Sequence, residues 1–296
     1  MSRDYDVIIV GGGLVGASLA GALQENAGRI AVIEPVTPAM DDQPSYDDRG
    51  LALSLASKRI FSGLGLWDKL SGSANPIRQV HVSDRGHFGF TRLHADSLYL
   101  PALGYVVIAR DLGRVLIERL QESRHVDYLS PVTVNDIRPG AKRMQVVIDS
   151  DGQSDTLNGR LVVAADGTNS TIRAILGIGA SVKDYGQTAI VTNITPGKPH
   201  ADTAYERFTE NGPLAFLPLT GQRCVVVYSV KTADAETFLG MDDREYIARL
   251  QSRFGWRLGR LQHPGMRKSY PIRQLVAHEQ IRNRLVVLGN SAHTVH

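Results

Sequence analysis

The chain has 296 residues, 43% of them hydrophobic, which is enough to bury a sizeable core and fits two domains. Its 33 Lys and Arg against 30 Asp and Glu leave a net charge of only +3, a balance that argues against nucleic acid as a partner. The one cysteine, Cys224 in the apolar run RCVVVYSV, excludes a disulfide scaffold and cysteine-based metal sites and reads as a small buried residue.

Residues 6–10, DVIIV, form a β-branched run of the kind that makes a parallel strand buried on both faces. Only MSRDY precedes it, so no signal peptide fits, and no apolar stretch is long enough to span a bilayer. The expectation is a cytoplasmic protein whose membrane contact, if any, is peripheral. The strand leads into Gly11-Gly12-Gly13-Leu14-Val15-Gly16 and then an Ala-rich helical stretch, ASLAGALQE. In that order Gly11 permits the tight turn, Gly13 lets a pyrophosphate approach the backbone, and Gly16 lets the helix pack closely on the strand. The next strand, RIAVIE, ends at Glu34, where a carboxylate can accept from both hydroxyls of a ribose. Glycine turns also occur for structural reasons, but strand, helix and terminal acid together point to a dinucleotide site. They do not separate FAD from NAD.

Residues 37–48, TPAMDDQPSYDD, have the Pro and Asp content of a mobile loop. Arg49 follows in YDDRGLALS, an extended stretch before the helical SLASKRIFSGLGLW. In GYVVIARDL a strand ends with Arg110 beside the helix DLGRVLIERLQ, where an Arg can equally pair with a nearby acid. RLVVAADGTNSTIR is another buried strand, ending in Asp166-Gly167 with Ser170 and Arg173 at D-G-x-x-S-x-x-R spacing; Asp or Ser here can simply cap a helix. Between 181 and 262, AIVTNIT, TAYERFT, PLAFLPL and RCVVVYSV alternate like strands of an antiparallel sheet. Phe216, Leu217 and Pro218 are candidates to line a substrate site there, with ordinary core as the alternative for each.

His81, His87 and His94 read as surface or structural histidines, and the nine histidines show no metal-ligand spacing. Arg257, Arg260 and Arg267, in the basic stretch 253–268, lack nearby acids in sequence; they form a solvated face or meet lipid headgroups or partner proteins. The chain closes on RLVVLGNSAHTVH, a strand running into Gly289-Asn290.

Taken in order, GGGLVG, the Arg49 and Arg110 segments, the Asp166-Gly167 stretch and GNSAH resemble the aromatic-ring hydroxylases, flavoprotein monooxygenases of the p-hydroxybenzoate hydroxylase type. SDRGHFGF, AYERFTENGPLAFLPL and FGWRLGR resemble the prenylated-methoxyphenol hydroxylases of the ubiquinone-biosynthesis branch. The resemblance implies an α/β fold: a Rossmann-like FAD-binding domain over 1–72, 102–180 and 263–296, and a β-sheet substrate domain over 73–101 and 181–262. It implies FAD held by Gly11, Gly13, Gly16 and Glu34 at the ADP half, Arg49 and Arg110 near the pyrophosphate, and Asp166 facing both FAD and the nicotinamide donor. Gly289 and Asn290 stand where the family usually has Gly-Asp, and Asn keeps a hydrogen bond there without a charge.

The implied reaction is hydroxylation of a prenylated methoxyphenol by molecular oxygen through a flavin hydroperoxide, with NAD(P)H or another electron donor. A ubiquinone-biosynthesis complex and a membrane surface are the implied partners. No catalytic base is identified, and no metal is needed. The alternatives are a flavin-dependent reductase or dehydrogenase, which would not need oxygen to alter its substrate, and a catalytically silent fragment or binding subunit. In the family, a Pro and Gly-rich turn and further helices follow the terminal His. The expectation is therefore a C-terminally truncated chain that binds FAD poorly and lacks hydroxylase activity.

Overall fold

The computed structural model describes residues 3–37 and 47–295; His296 and 38–46, which hold most of the expected mobile loop, lie outside them. The chain divides into two compact units, 1–47 with 109–183 and 273–296, and 48–108 with 184–272.

The first unit is a parallel sheet built on the strand Arg3–Val10. Ile30–Ile33 pairs along one edge of it and the C-terminal half of Gln153–Ala164 along the other, both parallel. Val126–Leu129 extends the sheet beyond Ile30–Ile33, and Leu285–Val287 extends it beyond Gln153–Ala164, again parallel. These strands are apolar runs without alternation because both faces are covered. On one face the Gly-Ala-rich helix Leu14–Leu23 packs with Ala109–Gln121, whose buried side is Leu112, Val115, Leu116 and Leu120. On the other, Ile8, Val10 and Val162 meet Ile137, Met144 and Val146 of an antiparallel hairpin, Thr133–Pro139 and Met144–Ser150, that pairs with the N-terminal half of Gln153–Ala164.

The second unit centres on an antiparallel run in which Ala180–Ile194 pairs with Arg223–Lys231, then Gly212–Leu219, then Thr203–Thr209. Gln79–Asp84 adds in parallel, and Phe90–His94 closes the edge antiparallel. One face carries Phe216, Val226 and Tyr228 against Tyr246, Leu250 and Phe254 of the helix Asp243–Phe254; Phe216 and Phe254 have ring centroids 4.0 Å apart. The opposite face carries Val225 and Leu219 against Ile77 and Val106.

This unit takes in 48–72, 102–108 and 263–272, which the expected boundaries placed with the first, and leaves 181–183 outside. The cause is pairing that sequence proximity does not show: Gly50–Ser54 lies antiparallel to Gly104–Ile108, which also pairs with Asn75–Ile77. Gly265 in turn donates its N–H to the Asn193 carbonyl at 2.7 Å.

Candidate functional site

In the first unit the motif residues emerge at the carboxyl ends of neighbouring parallel strands. Val10 is level with Ile33 and with Ala164, and Ala164 with Val287, so Gly11, Glu34, Asp166 and Gly289 all follow the same edge of the sheet. Chain order reverses direction at Arg3–Val10, and ligands of open α/β sheets bind at such a switch point. A cavity of about 360 Å³ opens there, lined among others by Gly11, Gly13, Glu34, Val36, Asp166 and Gly167.

Close approach of backbone shapes this edge. Gly11 has φ +103°, and a Cβ on it would sit 2.3 Å from the Ala165 carbonyl oxygen. A Cβ on Gly16 would sit 1.9 Å from the Gly11 carbonyl oxygen, so Gly16 lets the helix lie directly on the turn. That helix begins after Gly13 with no side-chain cap and no acidic residue in its first turn, which leaves its N-terminal amides and positive dipole end facing outward from the turn.

Glu34 is 5% exposed. Its Oε2 accepts from Gly12 N–H at 2.7 Å and its Oε1 from Val36 N–H at 3.0 Å, which locks the carboxylate plane. Burial raises its pKa, and the two amides only partly offset that. Beside it the Tyr128 hydroxyl, against which a Cβ on Gly12 would press at 2.5 Å, is buried without a partner among the described residues. Burial, and then the Glu34 charge, raise the pKa of this phenol, so it keeps a proton to donate.

At the other side of the cavity Asp166 Oδ2 accepts from Ile172 N–H at 3.0 Å and Oδ1 accepts from the Ser291 hydroxyl at 3.0 Å. Ser291 Oγ in turn accepts from Gly167 N–H at 2.8 Å. Arg173, buried and preceded by the helix cap Ser170, donates to the carbonyls of Ser291 and Thr168. The D-G-x-x-S-x-x-R stretch and the GNS turn are thus one stitched structure. Its centre, the fully buried Ser291, lies within GNSAH but was given no role from sequence, and Tyr128 and Val36 belong to none of the motifs read there.

The remaining sequence candidates fall elsewhere. Gly289 (φ +56°) packs on Val15, and Asn290 is exposed beside it. Arg110 opens the helix Ala109–Gln121, its N–H donating to the Asp47 carbonyl at 3.0 Å; Arg49 belongs to the second unit and stacks its guanidinium 4.8 Å from the Tyr270 ring centre. Neither lines the described part of the cavity.

Phe216 is core against Phe254, the second of the two readings left open for it, and alternation puts Leu217 on the opposite face from it. Arg267 is not unpaired: it binds Asp243 at 2.9 Å and the Met241 carbonyl. Arg253 likewise pairs with Glu210. Cys224 is fully buried, and burial pushes its thiol up to about 12. His87 pairs with Asp84 at the surface, whereas His81 is buried. Among the described residues no cluster of His, Cys, Asp or Glu could hold a metal ion, and no helix is long and apolar enough to cross a membrane.

The chain is similar to known proteins over nearly its whole length. Residues 4–296 match the FAD binding domain family. The chain is 35% identical over 291 residues to the ubiquinone hydroxylase UbiL of Rhodospirillum rubrum, covering 98% of this chain and 67% of that protein. It is 29% identical over 301 residues to the 3-demethoxyubiquinol 3-hydroxylase of Escherichia coli, covering 100% and 75%. The crystal structure of P. aeruginosa PqsL in complex with 2-aminobenzoylacetate superposes with a TM-score of 0.82 at 21% identity, over 99% of this chain and 80% of that one.

Proposed function

The chain belongs to the FAD binding domain family, and from that premise we propose that it forms the cofactor and substrate units of an FAD-dependent monooxygenase that hydroxylates a prenylated phenol in ubiquinone biosynthesis. The observation that carries the reaction class is the 35% identity with a ubiquinone hydroxylase across 98% of the chain.

FAD fits the residues present. The Gly11 and Gly16 cradle leaves no room for a side chain, the uncapped helix N-terminus suits a diphosphate, and Glu34 and Asp166 face one cavity. Glu34 would hold the adenosine ribose, the first-turn amides after Gly13 the diphosphate, and Asp166, with Gly289 and Asn290 near it, the flavin half; Arg49 and Arg110 are proposed to neutralise the diphosphate. Bound flavin supplies the oxygen-activating chemistry. The protein's part is to fix these groups before binding: backbone amides hold Glu34, while Ser291 and Arg173 hold the Asp166 turn. Leu217, on the face shared with Val191 and Val227, is the candidate to orient the substrate ring. Reduced nicotinamide is the proposed electron donor. A peripheral membrane contact and a ubiquinone-biosynthesis assembly are proposed as the route by which the prenylated substrate arrives.

The test supplies the protein containing this chain with FAD, reduced nicotinamide, oxygen and a prenylated methoxyphenol. Mass spectrometry is expected to show a gain of one oxygen atom by the phenol, absent without oxygen. Conversion that proceeds equally well without oxygen would replace the monooxygenase with a reductase or dehydrogenase.

A further inference from the structure

The second unit holds a separate polar cavity of about 320 Å³, lined by Gln79, His81, Arg92, Thr203, Tyr205 and Arg257. Strand register explains the grouping. His81 lies opposite Arg92 across one strand pair, and Tyr205 and Thr203 lie beside His81 and Gln79 across the next, so all five project from one face of the sheet. Arg257 joins them from the segment that follows the helix Asp243–Phe254. No carboxylate is among these lining residues. Of the arginines around it, Arg78 pairs with Asp202 and Arg85 and Arg253 with Glu210, while Arg207 donates to the Arg253 carbonyl and the Ser83 hydroxyl. The contacts of Arg92 are instead a histidine and the face of Phe90.

The histidine gives the cavity its chemistry. Arg92 Nε donates to His81 Nδ1 at 3.2 Å, which selects the neutral tautomer with its proton on Nε2. The ring is only 2% exposed, and Nε2 is buried without a partner. Burial, and then the charges of Arg257 and Arg92, hold the His81 pKa below its usual value. The imidazole therefore contributes a neutral N–H donor that, among the described residues, lacks an acceptor, next to two guanidinium groups that face no acid there. A buried donor left unpaired costs stability, and an oxyanion would supply what it lacks.

We propose that this cavity binds the phosphate group of a small ligand, with Arg92 and Arg257 supplying charge and forked donors and His81 Nε2 the buried neutral one. Two sources share this chemistry: a soluble phosphate ester, and a phospholipid headgroup, for which the 67% exposed Trp256 adjoining Arg257 would be the apolar neighbour. The site is independent of the flavin assignment.

Inorganic pyrophosphate is titrated calorimetrically into the full chain, and vesicles of phosphatidylglycerol in phosphatidylcholine are tested by co-sedimentation, each with wild type, Arg92→Gln and Arg257→Gln. Nitrogen NMR of His81 locates the pyrophosphate. The expected result is saturable binding weakened about tenfold or more by each substitution, with a shift of the His81 Nε2 resonance. Binding of pyrophosphate but not vesicles assigns a soluble ligand; binding of vesicles alone, lost in both variants, assigns a headgroup. Arg257 is exposed, so its substitution leaves the core intact, which thermal unfolding checks. Absence of saturable binding by either probe, or binding indifferent to both substitutions, overturns the proposal.

Discussion

At Glu34 the backbone uses half of what a carboxylate can accept: one lone pair on each oxygen goes to Gly12 or Val36 N–H, and one on each remains. Two ribose hydroxyls match that remainder. Glu34→Ala is accordingly expected to weaken FAD binding by about 2–4 kcal/mol, read by flavin fluorescence titration; unchanged affinity would remove Glu34 from the ribose site. A pH dependence follows from its raised pKa. Between the unfolded value and the raised folded one, the folded state holds more protons, so this group's contribution to stability is highest at low pH and declines as pH rises through that window. Hydroxyl donors favour the ionised form, so FAD affinity is expected to rise with pH over the same window in wild type and to stay flat in Glu34→Gln. The acid at a strand end was legible in sequence; its two amide anchors were not, because they belong to the turn's three-dimensional path.

Among the elements, the turn between Arg3–Val10 and Leu14–Leu23 carries the tightest constraint. A methyl on Gly16 would lie 1.9 Å from the Gly11 carbonyl oxygen, which is backbone and cannot rotate away. Gly16→Ala is expected to lower stability by about 1–3 kcal/mol or more and to displace the helix start from the cavity. Denaturant unfolding and FAD titration check both effects; a variant with wild-type stability and affinity would show that the contact relaxes at no cost. Strand, turn and helix were all legible here because each rests on local pattern. The helical stretch after Arg49 was legible only in part: it breaks into Leu55–Gly63 and Trp67–Ser71, with Gly65 at φ +69° between them.

For the whole molecule, the first unit is assembled from three chain segments, and its cavity draws on two of them. A ligand that binds only this folded arrangement stabilises it by mass action, about 2.7 kcal/mol at one hundred times its dissociation constant. Saturating FAD is thus expected to slow hydrogen exchange of the most protected amides in Arg3–Val10 and Gln153–Ala164 by about a hundredfold. Unaltered exchange in both strands would mean that the cofactor binds elsewhere. The family resemblance put 48–72 with the first unit, whereas Gly50–Ser54 pairs with Gly104–Ile108 of the second.

The sequence by itself determined the parallel strands, the glycine turn, the acid ending the second strand and the alternating sheet of the second unit. Each is written in a few consecutive residues, through hydrophobic period, glycine freedom and strand-end position. Only the tertiary structure decided which distant groups meet: Asp166 with Ser291 across 125 residues, Phe216 on the helix-facing side of its sheet, and His81 between Arg92 and Tyr205 with one N–H unpaired. The physical reason is that strand register and close packing act between segments far apart in the chain: a one-residue change of register would turn Phe216, His81, Arg92 or Tyr205 to the opposite face of its sheet.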